Sequence, residues 1–228
     1  MRTAAILPVK SFARAKQRLG ASVADPLRLQ LARAMVADVI AALAQTSAIE
    51  QTFVVTREPL IAEAALAAGA KLIADEGEEG QSAAAELGVA RALAEGFERI
   101  LCVPGDCPAA DPAELGALLD GHGQGGPELV IVPDRHGTGT NGLLIKPPRA
   151  IAPSFGPGSC ERHRGLAAAA GIDCRIERIP SLLLDIDTGA DLAVLRERLA
   201  GQGGRAPATR AVLAGPGFAD PLVTSSLA

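Results

Sequence analysis

Apolar runs of strand length alternate with Ala- and Leu-rich stretches of helical length along most of the chain, and this alternation constrains the fold more than any other feature. Strands read at residues 4–8, 52–56, 71–74, 100–103, 129–132, 142–145, 174–179 and 182–186, and helices at 26–43, 59–68, 81–94, 112–119, 160–170 and 190–199. The strand runs are near-continuously hydrophobic, as expected of a mostly parallel sheet covered by helices on both faces. Pro26, Pro59 and Pro112 fall at first helical turns, where the missing N–H costs nothing, and Asp25 and Asp111 precede two of them as N-caps. With 228 residues and 48% hydrophobic content the chain fills one α/β domain. Residues 1–200 read as that domain, and 201–228 as a Gly-, Pro- and Ala-rich extension with RAPATRAVL as its one helical hint. The end of that extension is expected to be partly mobile or to pack on a neighbouring subunit.

Charge and composition narrow the function classes. Lys and Arg number 22 against 26 Asp and Glu, a net charge of −4, so no basic field exists for nucleic acid and no polybasic run for an anionic membrane. Aromatic residues are 2%, all Phe, which leaves little for stacking single-stranded bases. A small-molecule partner is the expectation. RTAAILPVK is too short an apolar run for a secretory signal, which points to the cytoplasm. Cys102, Cys107, Cys160 and Cys174 lack C-x-x-C spacing and read as free thiols rather than as zinc or redox ligands.

Chemistry concentrates in four places. In LLLDIDT, residues 182–188, a strand would put Asp185 and Asp187 on one face with Ile186 on the other. Such a carboxylate pair repels itself unless a cation lies between, and Mg²⁺, held by one or two carboxylates plus substrate phosphates, suits it; the bland alternative is a turn in which Asp187 caps the next helix. Asp106 follows the apolar run ILCVPG and so lies past the carboxyl end of a strand, where open α/β sheets bind ligands. Three convergent carboxylates make a divalent-metal site the better reading. The segment VKSFARAKQRLG sets Lys10, Arg14, Lys16 and Arg18 after the first strand, a loop suited to a triphosphate or pyrophosphate, although a Walker A pattern is absent. Within VPDRHGTGTNGLLI, residues 132–145, GTGT offers two glycines and two hydroxyls, while FGPGS at 155–159 puts Ser159 at a helix N-terminus suited to an anion. His122, His136 and His163 give no Ser-His-Asp order, and His163 and Arg164 read as surface or packing residues.

Taken in order, PVKSFARAKQRL, GDCP, PDRHGTGTN, FGPGS followed by His163, and LDIDT with Asp191 resemble the CofC/FbiD family, the guanylyltransferases of coenzyme F-420 biosynthesis, from about residue 6 to about residue 212. The resemblance implies a Rossmann-like three-layer α/β/α nucleotidyltransferase related to sugar-nucleotide transferases. It implies transfer of GMP from GTP to a phosphorylated three-carbon acid, whether phosphoenolpyruvate, 2-phospho-L-lactate or 3-phospho-D-glycerate, with release of pyrophosphate. By resemblance Asp106, Asp185 and Asp187 hold Mg²⁺, Thr140, Gly156 and Ser159 bind the acid, and Lys16 with Arg18 meets the GTP phosphates, Lys10 lying in the same loop. Members carry a Gly-Leu-Asn stretch near the nucleotide where this chain reads EEGQSAAAE, so Gly80, Gln81 and Ser82 stand at that position, and Gly80 and Ser82 are taken as nucleotide-binding. The product would pass to the next enzyme of the pathway. The oligomeric state stays open, a homodimer included. Rival readings are a related nucleotidyltransferase with a molybdopterin-type or sugar-phosphate acceptor, and a nucleotide-binding module without catalysis; the three retained acids weigh against the second.

Overall fold

Strand β1 (Thr3–Val9) is buried at every position, and the next element in the chain is the long helix α1 (Asp25–Gln45). The structure is a computed structural model that describes residues 1–12, 25–122, 125–201, 204–215 and 218. The chain continues through β2 (Gln51–Thr56), α2 (Pro59–Ala67), β3 (Lys71–Ile73), α3 (Gln81–Ala94), β4 (Arg99–Cys102) and α4 (Pro112–Gly121). It then forms β5 (Glu128–Pro133), β6 (Thr140–Lys146), α5 (Ser159–Ala169), β7 (Asp173–Ile176), α6 (Gly189–Gly201) and α7 (Pro207–Leu213). The seven strands make one sheet in the order β3-β2-β1-β4-β6-β5-β7. Strand β6 runs antiparallel to both neighbours, and every other pair is parallel.

Alternate residues of β1 feed two different cores, as strand geometry requires. Ala5, Leu7 and Val9 pack with Val36, Val39 and Leu43 of α1, Ile61 of α2 and Leu115 of α4 on one face. Ala4 and Ile6 pack with Ala84, Ala85 and Val89 of α3 and Ala167 of α5 on the other. The molecule is therefore a three-layer α/β/α sandwich. Chain order departs from β1 toward β2 on one side and toward β4 on the other, which opens a crevice at the carboxyl ends of β1 and β4, the place where such sheets bind ligands.

The expected strand at 182–186 is not in the sheet. That segment has no ladder partner and forms turns followed by irregular chain, tied to the domain by the Ile186 N–H donating to the Asp106 carbonyl at 3.1 Å. Its alternation nevertheless has a physical basis: Leu182, Leu184 and Ile186 are buried, while Asp185 and Asp187 are only partly so. The period of two reports a segment with one side in the core, and supplies no evidence for a neighbouring strand.

A third core cluster joins this segment to residues that follow α6. Leu184 and Ile186 pack with Leu31 and Met35 of α1, Leu192, Leu195 and Leu199 of α6, Ala206 and Phe218. The hint in RAPATRAVL is thus a helix, α7, lying against α1 of its own chain. The residue before it, Ala206, is left-handed and offers no side-chain cap. Asp38 of α1 supplies one instead, accepting the Ala208 N–H at 3.0 Å and the Thr209 N–H at 2.8 Å. Asp111 caps α4 as expected, accepting the Ala113 and Glu114 N–H groups. Among the described residues no helix is long and apolar enough to cross a membrane.

Candidate active site

Two cavities open at the crevice and share a wall. The first, about 320 Å³, lies between β1, β4 and α1 and is lined by Lys10, Phe12, Met35, Gln81, Asp106 and Asp187 among others. The second, about 390 Å³, is lined by Gln81, Asp106, Asp134, Thr140, Asn141, Gly156, Ser159, Asp185 and Asp187 among others. Gln81, Pro104, Asp106 and Asp187 belong to both, so the carboxylates mark the division between two lobes of one cleft.

Local structure accounts for each position. Asp106 follows β4 by a short turn, and Gly105 before it packs so close to Val36 that a β-carbon would lie 2.9 Å from that side chain. Asp187 precedes α6, whose first turn is closed by a reciprocal capping box. Asp191 Oδ2 accepts the Thr188 N–H at 2.7 Å and the Asp187 N–H at 3.1 Å, and the Asp191 N–H donates to Thr188 Oγ1 at 3.3 Å. Asp187 is therefore not the cap; Thr188 and Asp191 are, and they fix the backbone that carries it. Burial works against charge on Asp191, yet the Thr188 hydroxyl, the Thr188 and Asp187 amides and the Arg135 guanidinium at 2.5 Å together hold its carboxyl below the usual range.

Asp185 is oriented by Asn141, which donates to it at 3.2 Å and to the Leu182 carbonyl at 2.8 Å. Burial pushes the Asp185 carboxyl above its ordinary value, the charge of Asp106 adds to this, the Asn141 bond opposes it and Asp187 adds a smaller share. These carboxylates stand close enough to repel, and an oxygen-ligating dication would relieve that repulsion. Among the described residues no three Asp, Glu, His or Cys side chains form a ready-made metal cage. The donor set fits an ion that takes one or two carboxylates and completes its shell with phosphate oxygens and water, as Mg²⁺ does.

The second lobe is built on hydroxyls. Ser159 Oγ donates to Thr140 Oγ1 at 3.1 Å, and both side chains are buried at its wall. The expectation that backbone amides at the α5 N-terminus face an anion is altered by the structure. The Ser159 N–H donates to the Gly156 carbonyl and the Cys160 N–H to the Thr138 carbonyl, which leaves the side chains as the polar lining. The Thr138 amide and hydroxyl are likewise engaged by Asp134, at 2.9 and 3.3 Å. Gly156 lines the lobe at a φ of 106°, a conformation that side-chain-bearing residues rarely adopt.

The crevice thus brings together Lys10, Asp106, Asp185, Asp187, Thr140, Gly156 and Ser159. Gly80, at a φ of 118°, begins α3 and sets Gln81 into the shared wall. Ser82 has a structural partner, its Oγ accepting the Phe155 N–H at 2.9 Å and so tying the 154–157 loop to α3. Arg14, Lys16 and Arg18 lie outside the described residues. Sequence reasoning gave Asn141 and His163 no site role, and gave Gln81 only a place near the nucleotide beside Gly80 and Ser82. Gln81 touches both lobes, Asn141 positions a carboxylate, and His163, completely buried, contacts Thr140. The signal for Gln81 was its place at the first turn of a helix that follows a strand. His163 and Asn141 gave only their proximity to Ser159 and Thr140. Arg164 is an exposed partner of Glu161, as its surface reading required, and Cys160 sits in the core.

Known proteins resemble this chain over most of its length. Residues 3–206 match the family model described as guanylyl transferase CofC like. A phosphoenolpyruvate guanylyltransferase of Conexibacter woesei is 46% identical over 213 residues, covering 93% of this chain and 96% of that one. A 3-phospho-D-glycerate guanylyltransferase of Phenylobacterium zucineum is 35% identical over 82% of this chain and 86% of its own. In fold, a solved structure from Desulfovibrio desulfuricans G20, assigned as a nucleotide-diphospho-sugar transferase, superposes with a TM-score of 0.68 at 16% identity, covering 96% of this chain and 94% of that one. With the family model matched over nearly its whole length and a two-lobed cleft at the sheet's switch point, the chain belongs to the CofC-like guanylyl transferases.

Proposed function

We propose that this guanylyltransferase transfers GMP from GTP to the phosphate of phosphoenolpyruvate and releases pyrophosphate. The observation that carries the proposal is the cleft itself: two lobes divided by Asp106 and Asp187, one lined by Lys10, the other by Thr140, Gly156 and Ser159. The nucleotide occupies the first lobe and the phospho-acid the second. The choice of acid rests on the Conexibacter woesei relative's name; the Phenylobacterium zucineum relative makes 3-phospho-D-glycerate the second reading.

The chemistry asks little of the protein in proton transfer. A phosphate monoester has a second pKa near ~6 and is largely dianionic at neutral pH, so no general base is required. Neither cavity is lined by a His or Cys among the described residues, in keeping with this. An oxygen of the acceptor phosphate bonds to the α-phosphorus of GTP while the bond to the bridging oxygen of pyrophosphate breaks. Catalysis then consists of holding the two phosphates in line and spreading the charge. The two lobes meeting at the carboxylates fit the first task, and Lys10, with Lys16 and Arg18 soon after it in sequence, the second. Asp106, Asp185 and Asp187 are the residues that would hold Mg²⁺, which would supply further charge neutralisation on the phosphates. We further assign the reaction to coenzyme F-420 biosynthesis in the cytoplasm, by a homodimer that hands its phosphoanhydride product to the next enzyme.

The test is pyrophosphate release from GTP with Mg²⁺, using phosphoenolpyruvate, 2-phospho-L-lactate and 3-phospho-D-glycerate separately and ATP and CTP as controls. Release with GTP and phosphoenolpyruvate alone is the expected result. Release with a different acid would reassign the acceptor, and none with any acid would remove the proposed reaction.

A further inference from the structure

His163 is completely buried on α5, and both ring nitrogens have partners. The Ser154 N–H donates to Nε2 at 2.9 Å, so Nε2 is the unprotonated nitrogen of a neutral ring. The proton must then sit on Nδ1, which lies 3.1 Å from Thr140 Oγ1 and donates to it. Burial, with a smaller contribution from the adjacent Arg162, pushes the imidazole down to about 4, so the ring stays neutral at physiological pH. The guanidinium of Arg162 is itself held by the carbonyls of Ser154, Phe155 and Pro157, and the Phe155 ring packs edge-on against the imidazole at 5.4 Å.

Counting hydroxyl protons gives this tautomer a consequence. Thr140 and Ser159 have one O–H each, and one of the two is used between them at 3.1 Å. When Nδ1–H donates into the pair, the other O–H has no acceptor within it and turns to the second lobe, which both residues line. If Nδ1 instead accepted, both hydroxyl protons would be consumed and only lone pairs would face the lobe, repelling an anion. We propose that His163 is a positioning residue that fixes the Thr140–Ser159 hydroxyl pair as a hydrogen-bond donor toward the anionic acceptor. The proposal rests on the assignment of the phospho-acid to the second lobe. Through the Ser154 amide, the loop that carries Gly156 sets the direction of the whole relay.

The experiment has two arms. In wild-type protein with ¹⁵N-labelled histidine, NMR should show His163 with a protonated Nδ1 and a bare Nε2, unchanged from about pH 8 to about pH 5.5, where an ordinary imidazole titrates. A protonated Nε2, or titration in that range, would overturn the proposal without any variant. In steady-state kinetics, His163→Leu should raise KM for the phospho-acid about tenfold, the effect of losing roughly one hydrogen bond, with KM for GTP unchanged. His163→Asn, whose amide can donate from near the Nδ1 position, should recover most of the loss. Because His163 acts through Thr140, His163→Leu combined with Thr140→Val should bind the acid no worse than Thr140→Val alone. Equal rises in both KM values, or additive losses in the double variant, would mean a general structural role and overturn the proposal. A normal acid KM in Thr140→Val would remove the acid from this lobe and the relay with it. An effect in Thr140→Val with none in His163→Leu would remove the relay alone.

Discussion

Folding raises the pKa of Asp185, since burial first and the charge of Asp106 second favour its neutral form. A carboxyl whose pKa is raised by folding binds a proton more tightly in the folded state. Its stabilising contribution is therefore present at low pH and is lost as pH rises through the window between the unfolded and the raised folded value. Wherever it is ionised without a metal, the side chain weakens the fold. Asp185→Asn should raise Tm by about 2–4 °C in a chelating buffer at neutral pH, with the gain shrinking on acidification, and lower turnover at least about 100-fold. Calorimetry beside the pyrophosphate assay reads both quantities. A variant that loses stability would mean that the Asn141 bond outweighs the repulsion, and one that keeps turnover would take Asp185 out of the catalytic group.

Helix α3 touches the site at its first turn, through Gln81 and Ser82, and is seated on β1 at Gly88. A β-carbon at Gly88 would lie 2.4 Å from Cγ2 of Ile6, a β-branched side chain fixed inside a fully buried strand. Gly88→Ala should cost about 1–3 kcal/mol by overpacking, although alanine is the better helix former, and lower Tm by about 2–4 °C for each of those kcal/mol. A Tm equal to the wild type would show that α3 can move outward without loss. At this scale most of the fold was legible, because buried parallel strands and the helices between them leave runs of unmistakable composition. Residues 182–186 were not, since alternation in LLLDID reports which side chains are buried and cannot report that no strand lies alongside. Asp106 was legible for a related reason, since it lies just beyond the end of β4, where ligands bind open α/β sheets; Asp185, Asp187, Thr140, Gly156 and Ser159 were legible as residue types suited to cations and phosphates, although the strand expected to carry the two acids is absent. His163 and Asn141 were not, because their importance lies in partners that are near in space and 23 and 44 residues distant in sequence.

For the molecule as a whole, the segment after α6 and the carboxylate segment share one core. Ala206 and Phe218 pack in the same cluster as Leu184 and Ile186, the residues that seat Asp185 and Asp187, and Arg205 pairs with the α4 cap Asp111. Removal of residues 205–228 would strip that cluster of its outer layer. It would also leave Asp38, nearly buried and already held above the usual carboxylate range by burial, without the Ala208 and Thr209 amides that now oppose that shift. Loss of a charge-assisted pair alone costs about 1.5–3 kcal/mol, and the uncovered apolar surface adds to it. The truncated chain should therefore melt at least about 5 °C lower, and its kcat should fall although none of the described residues removed lines either cavity. Asp38→Leu in the truncated chain removes the orphaned charge and should restore part of the Tm. It should restore less of the kcat, because the carboxylate segment still lacks the contacts of Ala206 and Phe218. If truncation leaves both Tm and kcat unchanged, residues 1–200 suffice as a domain and the extension is an appendage to it; if Tm falls while kcat holds, the third cluster supports the fold without setting the carboxylates.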